Sequence, residues 1–165
     1  MLINPSFYRR LLVLIILVVS AATQCALAER MTGRVVGVTD GDTIKLLLPG
    51  NYQEKVRLYG IDCPEKKQPF GTKAKQFASD MVFGKVVEVD RIDKDRYGRT
   101  IGWVTVNGRS LNRELLSAGL AWHYRQYSSD ISLARLESAA RSRRIGLWSE
   151  PQPIAPWEWR RSRRK

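Results

Sequence analysis

"GRVVGVTDGDTIKLLLPGNYQEKVRLYG", Gly33 to Gly60, carries the pattern that decides the fold. Two β-rich runs, Gly33–Asp40 and Thr43–Leu48, meet at Asp40-Gly41-Asp42, and Asp-Gly between such runs is a hairpin signal. Pro49-Gly50-Asn51 marks the next turn, and Glu54–Gly60 alternates polar and apolar residues as a half-buried strand does. Three successive strands are therefore expected.

Downstream, Phe70, Ala74, Phe77, Ala78, Met81 and Val82 recur at helical spacing, and Gly84 is placed to stop that helix. Lys85–Arg91 and Arg99–Val106 read as strands four and five around a polar turn, "IDKDRYG". "LNRELLSAG" predicts a short helix ending at Gly119, and a last helix is expected from about Ile131 to Arg144, with Asp130 as its N-cap. The proline-rich "EPQPIAPWEW" is expected to lie extended over the surface. Five short antiparallel strands interrupted by one helix suit an α+β fold, a five-stranded OB-fold β-barrel with about three helices. No internal repeat is visible, and one domain is expected.

The N-terminus has a different composition. Arg9 and Arg10 precede the apolar block Leu11–Val19, and small residues follow, ending in Ala26-Leu27-Ala28. That is the pattern of a cleaved secretory signal, residues 1–28. The apolar block is shorter than the roughly 20 residues that a spanning helix needs. A secreted or periplasmic protein is expected, with a membrane anchor formed by an uncleaved signal as the alternative. Residues 31–150 then make the domain and 151–165 a basic C-terminal tail. No stable membrane partner is expected after cleavage, and the mature protein is expected to be a monomer.

Loss of Cys25 with the signal leaves Cys63 alone, so no intramolecular disulfide is expected. The formal net charge is +12, of which Arg9 and Arg10 contribute two, and "RRSRRK" at the C-terminus alone holds five. Such a balance favours polyanionic partners: nucleic acid, anionic lipid or acidic polysaccharide. A basic amphipathic helix, which a membrane-surface protein would use, is not evident.

The chemistry-bearing residues fall at strand ends and in loops. Asp40, Asp42, Asp62 and Glu65 are carboxylates of the kind that hold hard cations such as Ca²⁺ and Mg²⁺, although "DGD" is also an ordinary turn sequence. Cys63 sits between Asp62 and Glu65, which disfavour a thiolate. A zinc site would require further Cys or His residues, and His123 is the sole histidine. Cys63 is therefore read as a small, partly buried side chain, and His123 as a packing or surface residue. Arg57 and Arg99 lie on strands that can share a face, and guanidinium groups pair with phosphate oxygens. A metal, two arginines and a carboxylate base make a set suited to phosphodiester hydrolysis.

At this level the chain resembles the staphylococcal nuclease (thermonuclease) family. "VTDGDTIKL", "VRLYGIDCPE", "DKDRYGR" and "GLW" match its signature segments in order and spacing, and "PWEWRR" resembles bacterial members. The resemblance spans about Met31 to Glu150. It implies an OB-fold barrel, one bound Ca²⁺, and hydrolysis of DNA and RNA to 3′-phosphate products. By motif, Asp42 and Asp62 would be metal ligands, with the backbone carbonyl of Cys63. Arg57 and Arg99 would hold the phosphate, and Glu65 would be the base. Asp40 matches an outlying acidic position, and Tyr97 and Tyr124 would bracket the substrate. The staphylococcal enzyme has threonine in place of Cys63, and a longer lysine-rich loop in place of "KKQPFG". The alternative function is a non-catalytic nucleic-acid-binding module of the same fold, which would have no need of Glu65 beside a metal.

Overall fold

The computed structural model describes residues 29–163; the proposed signal segment lies outside them. Strands β1 (Arg30–Asp40), β2 (Thr43–Leu48) and β3 (Tyr52–Leu58) form the expected meander. A two-residue strand β4 (Ile61–Asp62) and helix α1 (Gly71–Val82) follow, then β5 (Val86–Lys94) and β6 (Thr100–Val106). Short β7 (Arg109–Ser110) leads into α2 (Leu111–Ser117), then β8 (Trp122–His123), α3 (Ile131–Ser142) and α4 (Pro156–Ser162).

The main sheet runs β3-β2-β1-β5-β6-β7, and an additional β3–β6 pairing closes its first five strands into a barrel. Four of the five barrel contacts are antiparallel. The closing one is parallel, with Val56 opposite Thr100 and Leu58 opposite Gly102. The expectation of purely antiparallel strands is corrected here. A meander followed by a helical crossover brings the fifth strand back beside the third in the same direction. Closure removes the free sheet edges that an open sheet would expose.

The barrel interior is filled by the inward half of each alternation: Val35, Ile44, Leu46, Val56, Leu58, Val87, Val89, Val104 and Val106 are all buried. α1 contributes Ala74, Ala78 and Val82 to this core, and α2 contributes Leu111, Leu115 and Leu116. Asn112 ties α2 to the closure. Its side chain accepts from Val104 N–H (3.0 Å) and donates to the carbonyls of Tyr59 (2.9 Å) and Gly102 (3.3 Å). Removing that amide would take a partner from the buried Val104 N–H and from the Tyr59 carbonyl, while Gly102 O would keep the Tyr59 N–H.

α3 begins at Asp130, whose carboxylate accepts from Ser132 N–H (2.7 Å). Its buried Glu137 accepts from His123 N–H (3.1 Å) and Arg125 Nη2 (2.8 Å) and so fixes β8. β8 in turn pairs with β4, Asp62 opposite Trp122. His123 is buried and its ring nitrogens have no hydrogen-bond partner among the described residues, which agrees with a packing position.

The first part of the tail, residues 151–155, is without helix; Pro156–Ser162 is helical and not extended. Pro156 sits in the first turn of α4, where its missing N–H costs nothing, and Glu158 near the start and Arg160 and Arg161 near the end complement the helix dipole. The proline that argued against helix is its starting residue, and the described residues carry four α-helices. None is long and apolar enough to cross a membrane.

Candidate active site

Two close approaches build the site. A β-carbon added at Gly41 would lie 2.8 Å from Ala74 Cβ and from Cys63 Cβ and Sγ. Only glycine lets the hairpin turn press against α1 and the β4 loop, and this carries Asp42 to the start of that loop. Gly71, at the head of α1, leaves no room for a side chain against the Glu65 carbonyl. The loop from Pro64 to Phe70 is thereby folded back, with Gln68 N–H donating to Glu65 O (2.8 Å) and Gln68 Oε1 accepting from Glu65 N–H (3.1 Å).

Asp42 and Asp62 are both buried, and Arg57 from β3 lies between them. One terminal nitrogen, Nη1, pairs with Asp42 Oδ1, and the other, Nη2, is 2.8 Å from Asp62 Oδ1. Asp42 Oδ2 accepts from Cys63 N–H at 2.6 Å. Burial alone would raise the Asp42 carboxyl. The charge of Arg57, with hydrogen bonds from Asp40 and Cys63, outweighs it and holds the group below its ordinary value. Asp40 moves the other way, pushed up to about 7 by burial and then by Asp42. Burial also pushes the Asp62 carboxyl upward, against the two guanidiniums that contact it. The Cys63 thiol is buried and pushed well above its ordinary range by burial and by Asp42.

Glu65 is half-exposed beside this pair. Its carboxylate accepts from Arg160 Nη1 at 2.8 Å, and the same guanidinium reaches both oxygens of Asp62. Sequence reasoning missed Arg160 as a site residue because the tail was read as extended. The visible signal was "PWEWRR", with proline at a helix start. Arg99 stands apart from the carboxylates: its Nε donates to Asp95 Oδ2 (2.7 Å) in the β5–β6 turn. It nevertheless flanks the strand that closes on β3, two residues before Ile101, the partner of Arg57. Tyr97 projects from that turn, 70% exposed, with Arg96 and Arg99 over its ring. Tyr124 lies against the tail, its ring stacked on Trp157 at 5.2 Å and 3°. A separate depression on the barrel wall, lined by Val36, Lys45, Gln53 and Lys75 among others, contains none of the carboxylates.

The donor set suits a hard cation: oxygen ligands, no accessible thiolate and no histidine. Among the described residues no group of three His, Cys, Asp or Glu side chains forms a complete cage. A cation held here would rest on Asp42 and Asp62 and complete its shell with main-chain, water or substrate oxygens, as Ca²⁺ and Mg²⁺ commonly do.

A small closed barrel of the OB type with a cluster of acidic residues and arginines defines the class by architecture. Residues 55–150 match the staphylococcal nuclease homologue family. The chain is 42% identical over 160 residues to an uncharacterized endonuclease of Haemophilus influenzae, covering 97% of this chain and 88% of that one. It is 44% identical over 142 residues to Protein ParB of Escherichia coli and 41% identical over 142 to a micrococcal nuclease of Shigella flexneri. In both cases 79% of this chain and 80% of the relative are covered. The chain belongs to the staphylococcal nuclease family and is, by that membership, a nuclease-type hydrolase.

Proposed function

We propose that the protein is an exported, Ca²⁺-dependent endonuclease that hydrolyses DNA and RNA to 3′-phosphate products. The observation that supports this most is the convergence of Asp42 and Asp62 on Arg57, with Glu65 joined to Asp62 through the Arg160 guanidinium. Asp42, Asp62 and the Cys63 carbonyl would hold Ca²⁺, which when bound supplies positive charge to a phosphoryl oxygen.

The chain's own residues do the rest. Arg57, locked between two carboxylates, cannot lose its proton and stays a fixed positive charge beside them. Arg99, 29% exposed, has Asp95 as its one salt-bridge partner among the described residues and can exchange that partner for a phosphate oxygen. Glu65 accepts a proton from water as the water oxygen attacks phosphorus. The bond from phosphorus to the 5′ oxygen breaks, and that oxygen takes up a proton to leave as a hydroxyl. Tyr97 offers an exposed ring to a flanking nucleotide, and Tyr124, its ring stacked on Trp157, would border the substrate from the tail side. Export rests on the pattern of residues 1–28 and is tested by locating the protein in fractionated cells.

Digestion of DNA and of RNA by the mature protein, with Ca²⁺ and with a calcium chelator, tests the reading. Cleavage with Ca²⁺ and none with chelator, leaving ends that a 3′-phosphatase converts to hydroxyls, is expected. Full activity of metal-stripped protein, or 5′-phosphate ends, would refute it. Binding of nucleic acid without cleavage under any metal would favour the non-catalytic module instead.

A further inference from the structure

The carboxylates of the site already have a second cation, supplied by the chain's own C-terminal helix. Arg160 donates from Nη1 to Glu65 Oε1 (2.8 Å) and Asp62 Oδ1 (3.2 Å), and from Nη2 to Asp62 Oδ2 (2.8 Å). Both oxygens of Asp62 are thus engaged by one guanidinium fork, which is the strong form of this contact. Arg160 is also the only hydrogen-bond partner of the Glu65 carboxylate among the described residues.

These contacts are not what docks the helix. Ala155 and Pro156 are buried, and Gln68 Nε2 donates to the Ile154 carbonyl at 2.7 Å. Trp157 stacks on Tyr124 and meets Trp122 edge-on at 5.6 Å. Arg160 therefore arrives from an element anchored one turn earlier. The two arginines on Asp62 differ in freedom. The Arg57 side chain is 14% exposed and also carries Asp42, whereas that of Arg160 is 35% exposed and ends in solvent-facing chain. When a third positive charge approaches Asp62, Arg160 is the partner that can withdraw into water at small cost.

We infer that Arg160 is the intramolecular counter-cation of this site: it holds Asp62 and Glu65 in place in the metal-free protein and competes with a divalent cation for Asp62. The C-terminal helix then sets the affinity of the site for its metal. This rests on the reading of Asp42 and Asp62 as cation ligands.

Calorimetric titration of Ca²⁺ into chelator-treated full-length mature protein tests it, on wild type, Arg160→Gln and Arg160→Lys. Arg160→Gln should bind roughly tenfold tighter, the scale of removing one partly screened unit charge a few ångströms from the ion. It should also melt lower than wild type without metal, and that deficit should shrink at saturating Ca²⁺. Arg160→Lys, which keeps the charge and loses the fork, should fall between the two. Equal or weaker Ca²⁺ binding by Arg160→Gln, with native circular dichroism, would overturn the inference and leave the metal site standing. If Arg160→Gln does not fold, Arg160→Lys decides, and affinity equal to wild type overturns it. Absence of any Ca²⁺ binding by wild type would overturn the metal reading, and this inference with it.

Discussion

The backbone N–H of Cys63 donates to Asp42 Oδ2 at 2.6 Å, joining the hairpin turn to the β4 loop through main chain and not through the thiol. The sulfur itself is buried against Gly41, and its ionisation is suppressed. Cys63→Thr and Cys63→Ser should therefore keep nuclease activity within about tenfold of wild type, since only a thiolate could act as nucleophile or soft ligand. Serine should also lower the melting temperature by burying an extra hydroxyl. Activity abolished in a folded threonine variant would assign the sulfur a chemical role.

Arg57 and Arg99 should separate by stability. Arg57→Ala leaves Asp42 and Asp62 facing each other in a buried setting, a loss of about 3 kcal/mol or more for a broken buried pair. Arg99→Ala removes a more exposed pair with Asp95 and should melt near wild type. Turnover of the Arg99 variant should fall by about 10²-fold, the scale of one lost transition-state donor. Thermal melts beside single-turnover rates check this, and an Arg57→Ala protein as stable as wild type would contradict it.

Glu65→Gln keeps the size of the side chain and removes its ability to take a proton. Turnover should fall by about 10²-fold or more, with DNA affinity near wild type. The pH–rate profile should lose its acidic limb if Glu65 is the base. Wild-type turnover in the variant would place the base elsewhere.

The carboxyl of Asp40 is pushed up to about 7. The folded, metal-free protein thus holds a proton that the unfolded chain releases near the ordinary aspartate value of 3.8. Stability from this group is present below that lower value and is lost as pH rises through about 7. Asp40→Asn should be insensitive to this loss and melt above wild type at pH 8 in chelator. Parallel melting curves for the two proteins from pH 4 to 8 would show that Asp40 ionises normally.

The remaining tail charges are separable from Arg160. Arg161 and Arg163 are exposed, and each phosphate contact adds roughly 0.9 to the log–log salt slope of duplex binding. Replacing Arg161, Arg163, Arg164 and Lys165 with alanine should flatten that slope while sparing turnover at saturating substrate. An unchanged slope would mean that these charges do not touch the substrate.

Much of this protein was legible along the chain because the signals are local. Alternation in Gly33–Gly60 and Lys85–Val106 set the strands, Asp-Gly set the hairpin, and Asp130 set the start of α3. The acidic residues and Arg57 stood out because two acidic clusters and an arginine gathered at strand ends are more than the hairpin turns require. Only the tertiary structure decided the parallel closure of β3 on β6, the latching of α2 by Asn112, and the arrival of Arg160 at Asp62 and Glu65. Those contacts join segments far apart in sequence, and residue periodicity carries no information about which distant partner a strand edge or charged side chain will meet. Burial of Trp157 against Tyr124 and Trp122 makes that choice for Arg160, since a guanidinium on an undocked tail would stay in water.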